Sequence, residues 1–399
     1  MTVIDTSTAD VALATDAALA AKPASAVSWP AIFAGGATAA AISLILLALG
    51  SGLGLATAGP WANNGASPVT LTSAMVIWLI VTQWFAAINP QLLWAVGGVL
   101  GVLAVATIAG LVIKLVVKTP SAQGTIDNLN KRIRSWWVMV AIFALTLAVG
   151  PIGSLVLFGI LSFLALREYI TLVPTRRADH HTLFWTFFLF TPLQYFLLGI
   201  KWSGFVIVIP VYAFLFIPAT MALAGDIQDF LERAAKIQWG LMICVYCMSY
   251  APALLTLDIR GGYGPDAKLL LFLVIVDQLS DVLQYVWGKL LGRHKIAPVV
   301  SPNKTWEGFI GGVLSATAVG AGLWWMTPFT PAVAAAMSLL ITLLGFAGGL
   351  VMSAIKRDRG VKDYGTLIEG HGGILDRMDS VIFAAPVFFH VVRFFYGIL

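Results

Sequence analysis

Residues 332–352 read AVAAAMSLLITLLGFAGGLVM, an uninterrupted apolar run without one charged side chain. A helix needs about 20 such residues to cross the hydrocarbon core of a bilayer, so this run is long enough to span one. Working outward, further apolar windows place spans near 31–57, 70–88, 92–117, 136–149, 151–167, 183–199, 203–223, 237–258, 268–291, 308–326 and 380–398. The expected fold is an all-α integral membrane protein, a polytopic bundle of about 10–12 transmembrane helices whose boundaries are softer than their existence. Composition agrees: 59% of the 399 residues are hydrophobic and 11% charged, with mean hydropathy +0.90, where a soluble domain carries roughly 25% charged residues. A soluble fold of this size is excluded.

The net charge of +5 does not indicate nucleic acid, because the cations sit in short loops between spans. Lys114 to Arg134, Arg167 to Arg177, Arg233 to Lys236, Arg293 to Lys304 and Lys356 to Arg377 are all expected on the cytoplasmic side by their excess of Lys and Arg. Two spans separate successive loops, which puts the N-terminal tail and the C-terminus outside. Residues 1–28 lack the basic start of a signal peptide and are expected to be a flexible polar tail. Residues 29–135 follow as N-terminal transmembrane helices. Pro151 and Pro210 are tolerable inside helices whose neighbours satisfy the freed backbone, and Trp136 to Leu166 is expected to be a hairpin rather than one kinked element. Cys244 and Cys247, like Gly35, Gly36, Gly50, Gly52 and Gly54, read as packing positions.

Chemistry concentrates at SAIKRDRGVKDYGTLIEGHGGILDRMDS, residues 353–380, where Lys356, Arg357, Arg359 and Lys362 alternate with Asp358, Asp363, Asp376 and Asp379. Cations hold phosphate oxygens and carboxylates hold Mg²⁺, so the mixture suits phosphoryl or nucleotidyl transfer. Asp376 and Asp379 fall on one face if Leu375 opens the last helix, and a helix start favours anions. His371-Gly372-Gly373 supplies backbone that can approach a phosphate closely. The plain alternative is a solvated juxtamembrane loop.

A second constellation lies upstream. Asp277 and Asp281 stand one helical turn apart inside an apolar span, followed by Lys289. Carboxylates at that depth face a partner or a cavity, either a cation or an internal ion pair between Asp281 and Lys289. The next loop, GRHKIAPVVSPNKTWEGFIGG at 292–312, presents Ser301, Asn303, Lys304 and Thr305 beside another span.

KRDRGVKD followed by GHGGILDRMDS resembles the signature of the phosphatidate cytidylyltransferases, or CDP-diacylglycerol synthases. SPNKTWEGFIGG and the placement of Asp281 seven residues before Gly288 resemble the same family in the same order. The resemblance implies a nucleotidyltransferase that joins CTP and phosphatidate to give CDP-diacylglycerol and pyrophosphate. It also implies a catalytic domain over 136–399 and Mg²⁺ as cofactor, with a second metal ion left open. Carried onto this chain, it gives Asp281, Lys304, Asp376 and Asp379 as catalytic, and Asp281, Asp363, Asp376 and Asp379 as metal ligands. Ser301, Asn303, Thr305, Lys356, Arg357, Lys362, His371 and Arg377 become the substrate contacts. The expected setting is a multi-pass protein of the bacterial inner membrane, with CTP, phosphatidate and the bilayer as partners, no nucleic acid, and a homodimer left open.

Two positions depart from the family pattern. Gly349 stands where the family often has Asp in Gly-Asp-Leu, and Glu369 where it commonly has Pro. The alternatives are therefore a low-activity family member, a CTP-dependent polyprenol or lipid kinase, and a membrane transporter.

Overall fold

The computed structural model describes residues 90–117, 120–259, 267–368 and 372–398. The tail at 1–28, the spans expected at 31–57 and 70–88, the glycines between Gly35 and Gly54, Glu369 and His371 lie outside the described residues. The described chain is a helical bundle: α1 (Pro90–Val116), α2 (Pro120–Val149), α3 (Pro151–Leu172), α4 (Arg177–Gly199), α5 (Phe205–Leu223), α6 (Phe230–Thr256), α7 (Lys268–Leu290), α8 (Trp306–Gly322), α9 (Pro331–Asp358) and α10 (Leu375–Tyr396). Among the described residues, nine of these are long and apolar enough to cross a membrane. Only α8, at 17 residues, falls short of that length. The chain is a multi-pass integral membrane protein.

Each expected span within the described residues appears as a helix. Two boundaries move: α2 begins at Pro120, not near Trp136, and α6 at Phe230, not near Ile237, so Lys131, Arg132, Arg134, Arg233 and Lys236 ride on helix instead of loop. A chain entering lipid satisfies its backbone by coiling early, and Lys114 at the end of α1 pairs with Asp127 of α2 at 2.8 Å across the turn. The expected hairpin after α2 is present. Gly150 breaks the chain at φ +90°, a conformation open to glycine, and Pro151 starts α3 at the position where its missing N–H is not needed.

Pro210 lies within a widened π-helical stretch of α5, Val208–Ala213, and Pro192 stands two residues after another in α4, Thr186–Phe190. Widened turns absorb the backbone group that proline removes. The structure adds one element to the expected all-α fold. β1 (Lys295–Ala297) and β2 (Ser301–Thr305) form an antiparallel hairpin between α7 and α8, with Lys295 opposite Thr305 and Ala297 opposite Ser301.

The interior is formed by α6, α7, α9 and α10. In α6 72% of the most apolar stretch is buried, against 11% in α1 and in α2, so the first two described helices are peripheral among the described residues. Phe272 of α7, Phe388 of α10 and Phe329 pack edge to face or tilted at the centre, with centroids 6.2–6.3 Å apart. The large side chains left exposed on α1, among them Trp94, Val102, Val105 and Ile108, are apolar, which suits a surface whose solvent is lipid.

Candidate active site

The polar segments that close one end of the bundle are held by short local contacts. Glu307, in the first turn of α8, accepts from the backbone N–H of Arg293 and His294 at 3.0 and 3.2 Å, and Trp306 N donates to His294 O at 2.9 Å. Thr305 Oγ1 caps α8 by accepting from Gly308 N at 3.2 Å. The hairpin is thereby fixed to its helix, and with it Lys304. Across the site, Arg357 near the end of α9 donates to Val300 O at 3.3 Å, which joins the two polar loops on one face as expected.

The loop from α9 to α10 is organised by two carboxylates. Asp376 accepts from Lys356 Nζ at 2.8 Å, from Tyr364 N at 2.7 Å and from Gly373 N at 2.9 Å. Glu168, just before the last turn of α3, accepts from Ile374 N at 3.0 Å and Leu375 N at 2.9 Å, the first free donors of α10. A helix start leaves such donors unsatisfied and carries partial positive charge, so a carboxylate there both caps and anchors.

Beneath this loop a second acidic group converges from two helices. Ser380 Oγ of α10 donates to Asp281 Oδ2 of α7 at 2.9 Å and lies 3.4 Å from Asp379 Oδ1, so the two carboxylates share one hydroxyl. Asp277 lies one turn deeper at 1% exposure. Its Oδ2 accepts from Gln278 at 3.1 Å, while Oδ1 is buried without a hydrogen-bond partner. Gly345 makes this approach possible, because a Cβ there would lie 2.5 Å from that oxygen.

Two cations face the acids. Lys304 Nζ stands 4.5 Å from the centre of the Phe346 ring and would be 2.9 Å from a Cβ at Gly349. Asp281 and Asp379 both act on it electrostatically. Burial draws the Lys304 pKa below its ordinary value against the pull of these two carboxylates. Arg377 also acts on both acids, and its Nε is buried without a partner.

The residues singled out from sequence therefore separate into groups. Asp281, Asp379, Lys304 and Arg377 come together. Asp376 and Lys356 hold each other and the loop, so both Asp376 oxygens are already engaged by donors. Asp363 is exposed and adjoins Asp376 across Gly372, not Asp281. Thr305 is buried as a helix cap packed against Gly288 and Gly292, which turns its hydroxyl away from a substrate role. Arg357 ties loop to loop, while Lys362 and Asn303 are exposed and Ser301 half-buried on the rim. Lys289 does not pair with Asp281; its ammonium lies 5.9 Å above the Tyr285 ring. Sequence reasoning missed Glu168 altogether, although it is the sole acid between Asp127 and Asp179 and interrupts an apolar span.

Among the described residues no three His, Cys, Asp or Glu side chains form a ready metal cage. Mg²⁺ does not require one, since it binds through one or two carboxylates and completes its shell with water and phosphate. Asp281 and Asp379 supply that set, and the unpartnered Asp277 Oδ1 behind them is a further hard oxygen, so the residues present fit the ion.

The sequence model of the cytidylyltransferase family matches residues 130–395. The chain belongs to this family. It is similar to YnbB of Escherichia coli K12, an uncharacterised protein, at 41% identity over 287 residues, which is 70% of this chain and 92% of that protein. It is also similar to the phosphatidate cytidylyltransferases of Staphylococcus aureus COL, at 42% over 120 residues, and Staphylococcus haemolyticus, at 41% over 120 residues. These alignments take in 30% of this chain and 46% of each enzyme, so the chain spans about half the length of those relatives. As a family member built into a membrane, the protein is a nucleotidyltransferase.

Proposed function

We propose that the chain is a phosphatidate cytidylyltransferase, which converts CTP and phosphatidate to CDP-diacylglycerol and pyrophosphate at the cytoplasmic face of a bacterial inner membrane. The observation that carries this reading is the meeting of Asp281 and Asp379 on Ser380, with Lys304 and Arg377 beside them, where α7, α9 and α10 reach the polar loops. Acids and free cations at a membrane boundary suit two polyanions of which one is a lipid. The likeness to the staphylococcal enzymes, whose name states this activity, supports the same substrate pair.

In the proposed reaction a phosphate oxygen of phosphatidate attacks the α-phosphorus of CTP. The bond from that phosphorus to the bridging oxygen breaks, and pyrophosphate leaves with the electron pair. A phosphate monoester is largely dianionic at neutral pH, its second pKa being about 6, so the attack needs no strong base. The work of the protein is to bring the anions into line and neutralise them. Lys304 and the unpartnered Nε of Arg377 are the groups placed to hold phosphate oxygens. Asp281 and Asp379 would hold Mg²⁺, which supplies charge neutralisation on the nucleotide when bound. Lys356, Tyr364 N and Gly373 N are held together by Asp376, and Glu168 fixes the start of α10.

Purified protein in lipid nanodiscs is incubated with CTP, Mg²⁺ and phosphatidate. The expected products are pyrophosphate and CDP-diacylglycerol. CDP with a newly phosphorylated lipid alcohol would indicate a lipid kinase instead, and no nucleotide consumption would remove the enzymatic reading.

A further inference from the structure

Lys304 Nζ lies 4.5 Å from the centre of the Phe346 ring, and among the described residues it makes no hydrogen bond or ion pair. An aromatic face favours a cation but leaves the ammonium hydrogens available to an anion. The ring is one of three. Phe346 meets Phe309 of α8 with centroids 4.3 Å apart, and Phe309 meets Trp306 edge to face at 6.0 Å. The row begins at Lys304 and ends at Trp306, which opens α8 and is exposed.

This row bridges α8 and α9, which pack against each other. Along α8 the exposed Ile310 and Leu314 follow Trp306 at intervals of one turn, and along α9 the exposed Leu339 and Leu343 lead up to Phe346 in the same way. Residues three or four apart share a helix face, so each helix turns an apolar stripe outward, and both stripes run up to the aromatic row. Tryptophan favours the boundary between hydrocarbon and headgroups. An apolar stripe, an aromatic boundary and an ammonium free for an anion are together complementary to a lipid with an anionic phosphate headgroup. A soluble nucleotide would match the cation and leave the stripes without a use. The recess between α3 and α4, lined by Leu155, Phe163, Phe187 and Tyr195 among others, has no cation in its lining.

We propose that phosphatidate enters sideways from the cytoplasmic leaflet along the joint face of α8 and α9, its chains on the stripes of Ile310 and Leu343 and its phosphate at Lys304, with Trp306 setting the depth of the headgroup. The assignment rests on the substrate reading above and adds to it a route and a positioning residue. Trp306 holds the lipid beside its phosphate and takes no part in the bond making.

Two measurements on full-length protein in nanodiscs test the route. A phosphatidate with a diazirine in one acyl chain is photolysed on the protein without CTP. Adducts that unlabelled phosphatidate displaces, and that phosphatidylcholine of the same chains does not, are mapped by mass spectrometry. They are expected within 306–314 and 339–346, and Lys304→Met is expected to abolish their displacement. Displaceable adducts confined to α3 and α4, or none at all, overturn the route. In the product assay Trp306→Ala is expected to raise the KM for phosphatidate about tenfold, the worth of one aromatic contact, with the KM for CTP held and Trp306→Phe recovering most of the loss. A rise in the KM for CTP instead would make Trp306 a platform for the nucleobase and overturn its assignment. Displaceable adducts on α8 and α9 without any CDP-diacylglycerol formed would sink the reaction and leave the lipid phosphate site standing. Product formed without such adducts would do the reverse.

Discussion

Asp376 and Asp379 are three residues apart on one helix, yet they have different neighbours. Asp379 faces Asp281 and Lys304, whereas Asp376 is 5% exposed and accepts from Lys356 and two backbone N–H groups. Asp281→Asn and Asp379→Asn are expected to lower turnover at least ~100-fold while the melting temperature stays level or rises, since like charges are relieved. Asp376→Asn leaves the Lys356 ammonium without its buried partner. It is expected to destabilise the protein by about 3 kcal/mol, seen as a clear fall in melting temperature, with activity lost alongside. Unchanged melting in Asp376→Asn would return that residue to the metal set. Thr305→Val removes a helix cap worth about 1 kcal/mol, and turnover per folded molecule is expected to hold. A large rise in the KM for CTP would instead make Thr305 a substrate contact.

Helix α10 carries much of the chemistry, and its start is fixed from outside by Glu168 of α3. The carboxylate meets both Ile374 N and Leu375 N, and Gly365 and Gly373 pack so closely against it that a Cβ at either would lie within 3 Å of its oxygens. Glu168→Gln keeps the size but removes the charge that faces the helix dipole, a change of about 1 kcal/mol. Faster amide hydrogen exchange at Ile374 and Leu375 is expected, with weaker CTP binding because Asp379 and Ser380 sit on the following turn. Exchange equal to wild type at those two amides would show that the loop is held by Asp376 alone. Nothing in the local pattern of α3 announces this role, because the partners stand more than two hundred positions away along the chain.

Taken whole, the protein gathers its polar chemistry at one end of a bundle whose described surface is otherwise largely apolar. In a background without Cys244 and Cys247, cysteines placed at Asn303 and Lys362 are expected to react with an impermeant maleimide only from the cytoplasmic side. One at Lys201, between α4 and α5, is expected to react only from the opposite side. Labelling of Asn303→Cys and Lys362→Cys from different sides would break the shared face that the Arg357 contact to Val300 O implies. Removal of divalent metal with EDTA is expected to abolish turnover, and Mg²⁺ to restore it.

The helices from α1 to α10 are legible because the constraint behind them is local: a chain in lipid must satisfy its own backbone, and an apolar run of sufficient length does so as a helix wherever it stands. The same holds for the hairpin turn at Gly150-Pro151 and for the polar segments that carry Lys304 and Arg377, whose residue types announce phosphate chemistry. What each carboxylate does was decided by packing. Asp281 and Asp379 share a hydroxyl because α7 and α10 cross there, Asp376 is withdrawn by a lysine from α9, and Glu168 reaches the site from α3. Gly349 reads as a lost acid along the chain, and in space it lies against the Lys304 ammonium, since charge and volume are settled between helices and no single segment carries that information.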